Sequence, residues 1–309
     1  MQRGMSGYVV HRFLETFVLL NFVLIFVFLL LHLTGDPVAV MMPQDATQED
    51  IERLRRQMGF DKPLAVQLWE FYGRVLRGDF GQSWEHGESA LKVVLDRFPA
   101  SLELTAAAFL ISVLVGIPLG VVAAYKEDTV YDRSCMVGTV LGQAVPDFWL
   151  GLVLILVLSV WAGLLPSFGR EGWPHLIMPA FVASTYHTAR LARLMRSQML
   201  EVMRQDYIQT ARSKGLEEQV VLFRHALKNS AIPIVTVLGI DLGVMLGGTV
   251  IIETVFAWPG VGRLAIESIH KRDFPVVQVT VFLLAAIFVL INLAVDILYA
   301  YLDPRIEHK

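Results

Sequence analysis

Apolar residues gather into six long runs, over residues 13–33, 102–125, 136–162, 176–192, 232–252 and 276–301. A helix needs roughly 20 mostly apolar residues to cross a hydrocarbon core, so the pattern predicts six transmembrane helices. The fourth run is diluted by Ser184, Thr185, His187 and Thr188; it is retained because the alternation of sides fails without it. The first run follows Arg3 and Arg12, as a secretory signal would. It is longer than the ~7–15 residues of a signal core, and no small-x-small cleavage site follows at 33–35, so it is expected to stay as an anchor.

The polar stretches divide the chain into a terminus with the first span (1–33), an outer segment (34–100) and a core with spans two to six (101–309). In the outer segment Thr47 can cap a helix with Glu49 and Asp50 in its first turn, ending at Gly59. Pro63 suits the first turn of a second helix that stops before Gly78. A third, over 89–98, is expected to end before Pro99. Together they predict a small helical cap. Between spans four and five, Met195, Met199, Val202 and Met203 keep helical spacing, and no breaker occurs over 195–213. Gly215 then supplies a left-handed turn, a helix restarts over 217–229, and Pro233 opens span five. Helix, glycine elbow and helix make a hairpin within 193–231.

Charge assigns the hairpin a side. Arg190, Arg193, Arg196, Arg204, Arg212, Lys214, Arg224 and Lys228 crowd this one connection, whereas loop 163–175 holds only Arg170. The positive-inside rule therefore places both termini, 126–135 and the hairpin in the cytoplasm, and the cap outside. Arg263, Lys271 and Arg272 in outer loop 253–275 run mildly against it. A basic hairpin below the membrane suits a protein that grips a cytoplasmic motor; a channel or secondary carrier has no use for one.

With 55% hydrophobic and 18% charged residues, against about a quarter charged in a soluble domain, the chain's main partner is a lipid bilayer. A net charge of −3 argues against nucleic acid. The single Cys135 forms no internal disulfide, the eight histidines lack metal-ligand spacing, and no phosphate-binding GxxxxGK[ST] loop occurs, so neither a metal nor ATP is expected on this chain. No nucleophilic triad can be argued either. Asp147 in span three and Asp241 in span five lie where a charge costs about 3 kcal/mol. Either they line a solute path that favours cations, such as a peptide amino group, or they bond a neighbouring helix or partner. Asp296 and Glu15, nearer the inner surface, read as structural. Gly239, Gly243 and Gly247 form a small-xxx-small stripe suited to close helix packing. Gly260-Val261-Gly262 imitates a dinucleotide fingerprint without a βαβ unit around it; Trp258 and Pro259 beside it suit an interfacial anchor.

Several motifs recur in a fixed order: Thr34-Gly35-Asp36-Pro37, Met58-Gly59-Phe60-Asp61-Lys62-Pro63-Leu64, Arg77-Gly78-Asp79-Phe80-Gly81-Gln82-Ser83 and Pro146-Asp147-Phe148-Trp149-Leu150-Gly151. They continue through Gln205-Asp206-Tyr207-Ile208-Gln209-Thr210-Ala211-Arg212-Ser213-Lys214-Gly215, then Glu253-Thr254-Val255-Phe256-Ala257-Trp258-Pro259-Gly260, and end at Asp303-Pro304-Arg305. In these the chain resembles the inner-membrane permeases of binding-protein-dependent ABC importers, in the dipeptide, oligopeptide and nickel group. The resemblance implies a type I importer permease fold in a bacterial inner membrane. It also implies a sister permease completing the pore, two ATPase subunits that hold ATP and magnesium, and an extracytoplasmic binding protein. It places ATPase coupling on Asp206, Tyr207, Gln209, Thr210, Ala211, Lys214 and Gly215. Gln209-Thr210 stands where the wider superfamily has Glu-Ala, so Asp206 is the acid expected to reach the ATPase. Asp147, Phe148 and Asp241 would lie on the translocation path. The competing reading, an ion-coupled carrier or channel, would use Asp147 and Asp241 instead. Peptides are the expected solute, with nickel chelates and opines as alternatives.

Overall fold

The computed structural model describes residues 5–33, 38 and 47–302; the Thr34–Pro37 and Asp303–Arg305 motifs lie outside the described residues. The described chain is helical, apart from one isolated bridge between Gln82 and Ser89. Its elements are α1 (Met5–Leu33), α2 (Gln48–Met58), α3 (Leu64–Val75), α4 (Ala90–Tyr125), α5 (Val130–Ala144) and α6 (Asp147–Leu154). After α6 comes a π-helical segment, Ile155–Trp161, and then α7 (Trp173–Met203), α8 (Asp206–Ser213) and α9 (Glu218–Val220). A second π-helical segment, Val221–Leu227, leads to α10 (Lys228–Gly248), α11 (Val250–Val255), α12 (Val261–His270) and α13 (Phe274–Leu302).

Four stretches are long and apolar enough to cross a membrane: Val9–Leu30, Ala90–Tyr125, Pro233–Val255 and Phe274–Leu298. A fifth, Val130–Ala144 with Asp147–Trp161, is bent by 100° and so is not the straight span expected over 136–162. Pro146 has no N–H and forces Val145 into extended backbone (φ −82°, ψ 123°), which ends α5. The 31-residue α7 is long enough for a sixth, but His187, Arg190, Arg193 and Arg196 dilute it. It tolerates them because it packs against α4, α5 and α10 rather than facing lipid alone. By contrast α1 and α4 leave Phe17, Phe22 and Leu114 at least 65% exposed, as lipid-facing side chains would be.

The 36 residues of α4 run straight through Pro99 and Pro118, so the expected break at Pro99 does not occur. Burial of Val93, Val94, Ala100, Ser101 and Leu104 on either side holds the helix together. At about 1.5 Å per residue the 36 residues of α4 are about 54 Å long. Ala90, Val93 and Val94 pack with Phe80, Val261, Leu264 and Val276 at the cap end. Val121 and Ala124 pack with Met195, Met199, Ile208 and Ala211 at the hairpin end. Cap and hairpin therefore lie on opposite sides of any bilayer that α4 crosses.

In the segment expected to form the cap, the first two helices start and stop where their residues suggest. Thr47 accepts from the Asp50 N–H at 3.3 Å, Gly59 closes α2 at φ 75°, and α3 follows Pro63. Asp273, 1% exposed at the start of α13, accepts from Ser83 Oγ and from the Trp84 N–H at 3.1 Å, fixing the cap to the core. Beside it Lys271 donates to Glu85 at 2.6 Å, which holds the Glu85 carboxyl below its ordinary range and raises the Lys271 ammonium.

Candidate functional site

The hairpin begins where α7 ends. Arg204 closes α7, Gln205 turns to extended backbone (φ −73°, ψ 148°), and α8 restarts at Asp206. The single arm expected over 195–213 is thus two helices, a long strut and a short foot. Ile208 (0% exposed) and Ala211 (7%) anchor the foot against Met195, Met199, Val221 and Ala226, leaving Asp206, Tyr207, Gln209, Thr210 and Lys214 exposed. Gly215 makes the elbow at φ 76°, where a side chain would be strained. Across the elbow Arg212 donates to Glu218 at 2.6 Å, and Asn229 donates to the Tyr207 hydroxyl at 3.0 Å. The second arm does not stop near Asn229 as expected. It runs from α9 through the π-helical segment into α10, and Pro233 lies inside that helix. The foot is therefore joined to α10 through the elbow and one continuous helical stretch.

The strut is itself tied down. Arg196 clamps the buried Asp132 through two bonds of 2.6 and 2.7 Å, and Arg204 reaches Glu127 at 2.8 Å. Nothing in the local pattern around Asp132 marks this pair, whose members are 64 residues apart.

Within the helix bundle, Asp241 and Asp147 have different surroundings. Asp241, 2% exposed, accepts from Arg190 Nη1 and lies 3.6 Å from His187 Nδ1. Asp147 begins α6 just after the bend and lines a cavity of about 90 Å³ with Tyr186, His187, Val244, Met245 and Thr249. Phe148, next in sequence, is half exposed. Of the glycine stripe, Gly239 and Gly243 face α13: a Cβ on Gly239 would overlap Val295, and one on Gly243 would come within 3.0 Å of Phe288. Gly247 has open space around it. A second close approach lies between α4 and α7, where a Cβ on Gly120 would lie 2.5 Å from the Ala192 carbonyl oxygen and 2.6 Å from Met195 Cβ. Gly116-Ile117-Pro118-Leu119-Gly120 carries the small-xxx-small spacing that signals it.

At the cap end the Glu253–Gly260 motif folds around a carboxylate. Glu253 is fully buried and accepts from Ser101 Oγ (2.6 Å), Thr249 Oγ1 (3.0 Å) and the Arg263 N–H (2.9 Å). Trp258 Nε1 donates to the Ala100 carbonyl at 2.8 Å, and the Val261 N–H to Ser101 Oγ at 2.8 Å. Trp258 is fully buried rather than an interfacial anchor. A Cβ on Gly260 would overlap the Glu253 carboxylate. Gly260 and Gly262 are thus spacers for a buried acid, not a nucleotide fingerprint.

A family model described as binding-protein-dependent transport system inner membrane component matches residues 116–308, and the corresponding N-terminal component matches residues 5–105. The chain belongs to this family. It is an all-helical, multi-pass inner-membrane permease subunit of an ABC importer, without catalytic activity of its own; ATP is bound by partner ATPase subunits, and a binding protein belongs to the system. Glutathione transport system permease proteins GsiC of Salmonella typhimurium and of Escherichia coli (strain K12) are each 39% identical over 306 residues, covering 99% of this chain and all of the relative. Two solved structures share the fold. One is the inward-facing MetNI methionine ABC transporter (16% identity, TM-score 0.56, 69% of this chain and 97% of that one). The other is an amino acid ABC transporter with histidines (20% identity, TM-score 0.51, 70% of this chain and 94% of that one).

Proposed function

We propose that this permease imports small peptides, glutathione first among those to test, and forms the pore with a homologous sister permease above two ATPase subunits. The end-to-end likeness to glutathione permeases supports the solute class. The chain crosses the membrane six times, with the bent α5–α6 pair and α7 as the third and fourth crossings. Residues 34–100 form the extracytoplasmic cap over the core of 101–309, and both termini and the hairpin are cytoplasmic.

The observation that carries the coupling mechanism is the short foot α8. Its apolar side is held by the strut while Asp206, Tyr207, Gln209, Thr210 and Lys214 are offered outward. Ala211 seats the foot and Gly215 lets the chain double back. ATP closes the motor subunits and moves the foot; α7 and α10 carry that motion into the spans, and the pore exchanges inward for outward access. Asp147 and Phe148 border the solute path. Asp241, already held by Arg190, braces span four against span five at its edge.

The test is uptake of radiolabelled glutathione into proteoliposomes holding the permease, its sister, the ATPases and the binding protein. Accumulation that requires internal or external ATP on the ATPase side is the expected result. Accumulation that persists without the ATPases, or follows an ion gradient, contradicts it.

A further inference from the structure

Among the described residues, the buried and half-buried acids of the spanning helices are held by donors except Asp147; Asp96 and Glu201, also without one, are exposed. Asp241 has Arg190, Glu253 has three donors, and Asp296 lies 3.4 Å from Arg12. Among the described residues no hydrogen bond or ion pair reaches the Asp147 carboxylate. Leaving a carboxylate without a partner in a span is costly, and its place in the first turn of α6 offsets only part of that cost. The bend at Pro146 sets α6 against α7 and α11, with Gly151 packed on Val255 and Phe256. Irregular backbone at membrane depth is tolerated where it lines a cavity, and this bend opens on one.

The lining of that cavity is suited to a small cation. Asp147 supplies charge. His187 also lines the cavity; its buried Nδ1 makes no hydrogen bond and lies 3.6 Å from the Asp241 carboxylate. Tyr186 lines it as well, and Val244, Met245 and Ile252 supply apolar wall. At about 90 Å³ the cavity suits a small polar group such as an ammonium, and is well below the ~300 Å³ and more of pockets that enclose a whole small ligand. Because Arg190 already neutralises Asp241, the cluster has one carboxylate to offer.

We propose that the Asp147–Tyr186–His187 cavity is the anchor for the ammonium group of the transported peptide, a specificity that rests on the peptide reading above. The ammonium replaces the missing donor, and the rest of the peptide lies outside the cavity along the pore.

The test uses the complete transporter in proteoliposomes, with glutathione as the probe, and reads solute moved per ATP hydrolysed. Asp147→Asn is expected to lower that ratio tenfold or more, as loss of a charged hydrogen bond would. Asp147→Glu, which keeps the charge, is expected to recover most of it. Replacing sodium by choline in the buffers should leave wild-type uptake unchanged. An unchanged ratio in Asp147→Asn, or equal defects in the Asn and Glu variants, overturns the assignment while leaving peptide import intact. A tenfold fall on sodium removal also overturns it, because the cavity would then hold an inorganic cation. If the wild-type complex moves no glutathione, the peptide reading itself fails and takes this assignment with it.

Discussion

Arg190 and Asp241 form an ion pair within the bundle, and the Asp241 side chain is only 3% exposed. Removing one member of such a pair leaves an uncompensated buried charge, which is worse than removing both. Arg190→Ala is expected to cost about 3 kcal/mol, read as a lowered thermal midpoint in detergent. Asp241→Asn added to it should recover most of the loss, and additive losses would show that the pair is not coupled. That Asp241 is costly to bury was legible in the sequence. Its partner was not, because the two lie 51 residues apart on helices whose register no local pattern specifies. Glu253 was missed for a related reason. It ends an apolar run, and its partners Ser101 and Thr249 look like ordinary dilution until the fold brings them together.

Helices and turns were more legible than their boundaries. The Thr47 cap, the Gly59 stop and the Gly215 elbow are local chemistry, and each stands where the residues put it. Prolines were harder to read. Pro146 bends its span by 100° whereas Pro99 and Pro233 lie within continuous helix; the difference lies in packing partners, which the sequence does not list. Glycine spacing likewise suggested a stripe on span five without saying which members touch anything. The structure separates them in a way that mutation can check. Gly120→Ala drives a Cβ toward Met195 and should destabilise by about 1–3 kcal/mol through overpacking. Gly247→Ala meets open space and should be neutral, or stabilising by up to about 1 kcal/mol from helix propensity. Thermal unfolding of the two variants in detergent checks the order, and a more harmful Gly247→Ala would contradict the packing described.

At the scale of the whole molecule, one 36-residue helix links a cap stapled through Asp273 to a foot seated on α7, and the foot continues through a glycine elbow into α10. The six-run pattern and the basic hairpin were sufficient to suggest a motor-driven permease. The foot's separation from its strut at Gln205 was not legible, because no proline or glycine marks it. Mechanical attachment of that foot to an ATPase is the central claim, and Gln209 lies on its exposed side. The direct measurement is cross-linking from Gln209→Cys, with Cys135→Ser as background, through a thiol-attached photoactivatable reagent that needs no cysteine on the partner, in membranes that contain the assembled transporter. An adduct with the ATPase subunit, changing in yield when ATP is added, is the expected result. Labelling of that cysteine from the outer face, or no ATPase adduct while uptake remains ATP-dependent, would contradict the account.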